Sequence, residues 1–143
     1  MIAHTAQYDS ILKTIPNSVS DSAVLTLLHN KGINWKHVQA LKETSLFNDD
    51  TISHWLNINV KTFRSYKKPE GEININIKEH VVLLLSLMQH GKSIFKSTKN
   101  FKEWLEKTNF FFDGKAPIDF LQTITGIRFI DDRLTAMEYG DNI

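Results

Sequence analysis

The sequence predicts an all-helical protein. Apolar residues recur at three- and four-residue steps in segment after segment, and capping residues precede several of these runs. Glycine also follows two of their ends, at Gly32 and Gly140. A length of 143 residues fits one compact domain, or two very small ones sharing a core. With 41% hydrophobic residues, nine Phe and three Trp, the chain can build a packed core, and a disordered chain is excluded. The longest apolar stretch, Val81 to Met88, is broken by Ser86 and falls far short of the ~20 residues of a bilayer span. The N-terminal MIAHTAQYDSILKT has neither a basic region nor an apolar run followed by small residues. No secretory signal is read there, and a soluble, cytoplasmic protein is expected.

Taken in order, Ser20 and Asp21 precede a helix carrying Val24, Leu27 and Leu28 on one face, with Lys31 and Gly32 at its stop. A second helix is expected near Trp35 to Glu43. After the segment from Leu46 to Lys68 and then Pro69, Ile73, Ile75 and Ile77 alternate with polar residues, which is a short strand signal. The competing reading is a linker ending at Asn76 as N-cap, followed by a long helix from about Ile77 to Phe95. That helix is apolar on more than one face, so it is expected to be central or to lie in a dimer interface. Phe101, Trp104 and Leu105 form the apolar face of a short helix, with Trp104 and Trp55 expected in the core. Phe110, Phe111 and Phe112 read as core anchors of a loop, and Asp113-Gly114 as a turn. Pro117 suits the first turn of a further helix. The last helix, about Thr125 to Tyr139, places Ile127, Ile130, Leu134 and Met137 inward. Arg128, Asp131, Asp132 and Arg133 are expected on its outer face, with Arg128 and Asp132 spaced to pair.

The segment from Asp49 to Tyr66 has the layout of a helix-turn-helix, expected over about residues 49–67. Ile52 and Leu56 would line the first helix, Ile58 the turn, and Phe63 and Tyr66 the second helix. Ser53 stands where the helices must approach closely, Asn57 where the turn needs a left-handed residue, and Asn59 where the second helix needs a cap. Residues 60–68 carry Lys61, Arg64, Lys67 and Lys68 with no acid. Lys61, Thr62, Arg64, Ser65 and Lys68 point away from the inward face and are the candidate DNA contacts. Arg64 is the first choice for a base edge, because its planar fork grips guanine with two bonds. The plainer alternative is a helical hairpin with a solvated basic face.

Other chemistry is thinly provided for. Without cysteine there is no disulfide, thiolate metal site or cysteine nucleophile. The six histidines never stand three or four residues apart, so no local zinc motif exists. No nucleophile motif or glycine-rich phosphate loop appears, and a protein that is not an enzyme and needs no cofactor is expected. Net charge is only +1, but its distribution is uneven: residues 101–143 hold five basic against eight acidic side chains. A basic segment and an acidic one suggest two partners of different sign.

From about Leu46 to Gly140 the chain resembles the Xre/MbcA/ParS family of antitoxins. The likeness is carried by ISHWLNINVKTFRSY, FKEWLEKTN, DGKAPIDFLQTITG and the closing MEYG. Gly114, Pro117, Leu121, Gly126, Glu138 and Gly140 stand at the family's recurring positions in the right order. Two positions depart from it: Ala116 stands where a capping Thr or Ser is common, and Tyr139 where His commonly precedes the final glycine. The resemblance implies an Xre-like helix-turn-helix bundle in residues 1–75 followed by a small helical toxin-binding domain in residues 76–143. It also implies a homodimeric antitoxin that joins a RES-domain, NAD-consuming toxin in a larger complex, covers its active-site entrance and represses the shared operon. The expected toxin contacts are Arg128, Asp131, Asp132, Arg133, Glu138, Tyr139 and Gly140. Asp131, Asp132, Glu138 and Asp141 would suit a cleft built for the phosphates of NAD, while Arg128 and Arg133 would reach its acidic groups. The alternative is a stand-alone helix-turn-helix regulator whose C-terminal half only dimerises.

Overall fold

The computed structural model describes residues 8–30 and 32–140, and every regular element among them is helical. After a helical stretch at residues 8–12 come α1 (Asp21–His29), α2 (Trp35–Ser45), α3 (Asp49–Trp55) and α4 (Val60–Tyr66). The long α5 (Ile75–Phe95) and α6 (Thr98–Glu106) follow, then 3₁₀ turns at Phe110–Phe112 and Pro117–Phe120, and α7 (Ile124–Glu138).

Side-chain caps explain most of the starts. Asn34, Asn48, Asn59, Asn74, Ser97 and Thr123 each accept a hydrogen bond from a backbone N–H in the first turn of the helix they precede. Asn74, rather than Asn76, caps α5, so the Ile73-Ile75-Ile77 alternation belongs to a helix start and not to a strand. A cap that satisfies an orphan N–H outweighs a three-residue alternation with no partner strand to complete it.

Each residue from His80 to Met88 on α5 is buried, which a helix achieves only when it is covered on all sides. α7 and α6 pack on it from the C-terminal part, α2 and α1 from the N-terminal part. The buried apolar residues form one cluster running from Tyr8 to Leu134. At ~1.5 to 3 kcal/mol for each buried Leu or Val, this helix dominates the core.

Residues 15–21 strap the two ends of the chain together. The Ser86 hydroxyl donates to the Pro16 carbonyl at 2.9 Å, and the Gln89 amide to the Ile15 carbonyl at 3.3 Å. Further along, the Val19 N–H donates to Asp131 at 3.2 Å, and Arg128 pairs with Asp21 at 2.5 Å. Arg128, expected to pair with Asp132 along one helix, instead makes a tertiary pair with Asp21. Asp131 and Arg133 are buried, which corrects the expectation that both lie on the outer face of α7.

Gly126 allows one close approach. A Cβ there would collide with the Phe120 carbonyl, so the first turn of α7 can lie against the end of the preceding 3₁₀ turn only with glycine at this position. The turn at Asp113-Gly114 uses left-handed backbone at both residues, φ 56° and 79°, as the dipeptide predicts.

Candidate nucleic-acid and partner surfaces

α3 and α4 pack against each other across a short turn. Asn57 takes φ 60° in the turn, Ser53 is buried where the helices meet, and Ile52, Leu56 and Phe63 pack beneath. Phe47 closes the base of α3 by meeting Trp55 edge-on at 4.9 Å. Along α4 and its end, Lys61, Arg64, Ser65 and Lys68 are exposed, Thr62 is half-buried, and Phe63 is fully buried. The five candidate contacts therefore lie off the packed face.

The structure adds a residue that charge counting overlooked. Asp49, at the start of α3, accepts from Arg64 Nε at 3.0 Å and from Lys67 Nζ at 2.9 Å. Partial burial alone would raise the Asp49 carboxyl, but hydrogen bonds from Lys67 and Arg64 and the nearby charges of Lys67 and Lys42 hold it below the usual carboxylate range. Lys67 is also drawn over the Phe63 ring at 5.1 Å, so it turns inward while Lys61 and Lys68 face out. Asp49, Arg64, Lys67 and Lys68 line a cleft of about 790 Å³ together with Gln39 and Lys42. The clamp links residues 15 and 18 apart, outside any local spacing rule.

The turn of this motif is docked on the C-terminal part. The Asn57 side-chain amide donates to the Gln122 carbonyl at 2.9 Å, and the next carbonyl back, Leu121, is bonded to His80 Nε2 at 2.9 Å. Both carbonyls belong to the short segment between the 3₁₀ turn and α7, which is thereby tied to the turn between α3 and α4 and to α5.

At the other end of α7, His90 bridges two carboxylates. Its Nδ1 lies 2.7 Å from Asp131 and its Nε2 lies 3.0 Å from Glu138. Burial alone would lower the imidazole, but the hydrogen bonds and charges of Asp131 and Glu138 outweigh it and hold His90 above its ordinary value. Asp131 and Glu138 are seven residues apart, which puts both on one face of α7. That spacing is visible in the sequence; the histidine between them, on α5, is not.

Of the expected partner contacts, Asp132, Glu138, Tyr139 and Gly140 are exposed. Arg128 is exposed but held by Asp21. Asp131 is buried on His90, and Arg133 is buried with its guanidinium 4.0 Å from the Phe111 ring. Asp141 lies outside the described residues, as do His4 and Lys31. The Phe110 to Phe112 run divides: Phe112 is a core anchor, whereas Phe111 is half-exposed and Phe110 is 97% exposed. A 3₁₀ turn offers three directions to three side chains, and only one of them is inward. Phe129, also exposed, packs on Phe112 at 5.6 Å, so the aromatic surface continues onto α7.

Among the described residues no group of His, Asp and Glu is placed to hold a metal ion, and no helix is long and apolar enough to cross a membrane. The arrangement is all-helical, with a basic helix α4 in one part of the surface and charged and aromatic side chains around α7 in another. Residues 90–140 match the family described as antitoxin Xre/MbcA/ParS C-terminal toxin-binding domain, the same family that the sequence motifs resemble. The comparison with curated proteins gives no match.

Proposed function

We propose that this protein is the antitoxin of a toxin-antitoxin pair, binding a RES-domain, NAD-consuming toxin through its C-terminal part and operator DNA through α4. The observation that carries the reading is the match of residues 90–140 to a toxin-binding domain. The RES identity of the partner comes from the resemblance of the sequence motifs. In this reading Arg128, Asp132, Glu138, Tyr139 and Gly140 meet the toxin, with Phe110, Phe111 and Phe129 as apolar anchors of the kind that dominate protein interfaces. Asp131 and Arg133 act from beneath, holding α7 in place. The acidic members suit a cleft shaped for the phosphates of NAD, and covering its entrance blocks the enzyme without any chemistry by the antitoxin.

Lys61, Thr62, Arg64, Ser65 and Lys68 form the proposed DNA face, and a homodimer would present two such faces to a two-fold operator. Gel-shift titration against the duplex upstream of the protein's own gene tests this half. Lys61→Ala and Arg64→Ala should each weaken binding and flatten its salt dependence, by about one counterion for every phosphate no longer neutralised. Unchanged affinity and slope in both variants would remove the DNA face.

A further inference from the structure

We propose that Asp49 sets the sequence specificity of the basic helix, by orienting Arg64 for a base edge and withholding two cations from indiscriminate phosphate binding. The inference rests on the DNA-binding reading above. Its basis is the geometry at the start of α3: one carboxylate receives Arg64 Nε at 3.0 Å through one oxygen and Lys67 Nζ at 2.9 Å through the other.

A guanidinium has five N–H donors, and the Nε–H spent on Asp49 leaves the terminal amino groups of Arg64 to grip the O6 and N7 of guanine. Holding Nε also fixes the plane of the fork, so less rotamer freedom is given up on meeting a base. Arg64 itself remains 59% exposed while its Asp49 partner is 18% exposed, so the anchor is inside and the reading end outside. Stability gives a weak reason for the clamp. α3 and α4 are already joined by Ile52, Leu56 and Phe63, all buried, and the ion pair to the exposed Arg64 adds little to folding.

Removing the carboxylate frees both cations to find any phosphate. Affinity for arbitrary DNA then rises while Arg64 no longer meets its base in a fixed plane.

The test compares the duplex upstream of the protein's own gene with a scrambled duplex of the same composition, across a salt series. Asp49→Asn should cut the preference for the upstream duplex about tenfold, the scale of one two-bond grip on a base. It should also steepen the salt dependence on the scrambled duplex by about one to two, one for each cation released. In an Arg64→Ala background the same change should no longer alter the preference, since the effect acts through Arg64. A circular-dichroism melt confirms that each variant is folded. A folded Asp49→Asn protein with unaltered preference overturns the proposal, as does an effect on preference that persists without Arg64. Lys61→Ala in the same assay separates the two failures: if it weakens binding while Asp49→Asn is silent, only the role of Asp49 falls. A chain that prefers neither duplex ends both readings.

Discussion

At the residue scale, single polar side chains decide how the surfaces are held. His90 is the clearest case, because a buried imidazole between Asp131 and Glu138 is favoured in its charged form. A histidine raised above its unfolded value contributes stability that is complete below that value and disappears as pH climbs through the folded one. His37 and His80 work the other way, since burial lowers both and folding then disfavours their protonation. Those two are common to the protein and to His90→Asn, so they cancel in the difference between them. Urea denaturation of the pair should show a gap of about 2 kcal/mol at mildly acid pH. The gap should shrink as pH rises above about 6.5, the ordinary histidine value. A gap that stays constant with pH would mean that the bridge holds a neutral ring.

At the scale of elements, the caps and the turn between α3 and α4 are legible because their signals are local. Asn57 in the turn and Asn59 as cap occupy positions whose backbone demands can be read from neighbours in sequence. The helix α5 starts two residues earlier than the sequence predicts, because Asn74 and Asn76 are equally good caps by residue type and it is Asn74 that accepts from the Ile77 N–H. The face of α7 was misassigned for a related reason. Helical periodicity ranks Asp131 and Arg133 as polar, but burial follows from His90 and Phe111, which arrive from distant parts of the chain. Gly126 and Gly114 offer a quantitative check on this level. Gly126→Ala forces a methyl into the backbone carbonyl of Phe120, and overpacking against backbone costs about 2 to 3 kcal/mol. Gly114→Ala meets open space and bears only the left-handed backbone cost of about 1 to 2 kcal/mol. Thermal melts should rank Gly126→Ala as the less stable of the two, with the larger drop in Tm; the reverse order would contradict the tight junction before α7.

At the scale of the whole molecule, the sequence suggested two functional parts, and the structure shows a common core beneath them. α5 is packed by α1, α2, α6 and α7, while residues 15–21 reach across to Asp131 and Arg128. These long-range pairings have no periodic signature, which is why sequence patterns alone leave the role of the first third of the chain open. One consequence concerns experiments. Deleting the chain from Phe101 onward would strip Phe101, Leu105, Ile127, Ile130 and Leu134 from the core, so loss of protection by such a fragment would report on folding. Exposed positions separate the two surfaces more cleanly. The most direct test is co-expression with the protein encoded beside it, scoring growth rescue and the co-purified complex alongside affinity for the upstream duplex. Phe110→Asp and Tyr139→Asp should lose rescue and complex at unchanged duplex affinity, whereas Lys61→Ala should lose duplex affinity and keep rescue. Rescue and complex that survive both C-terminal substitutions would contradict the account.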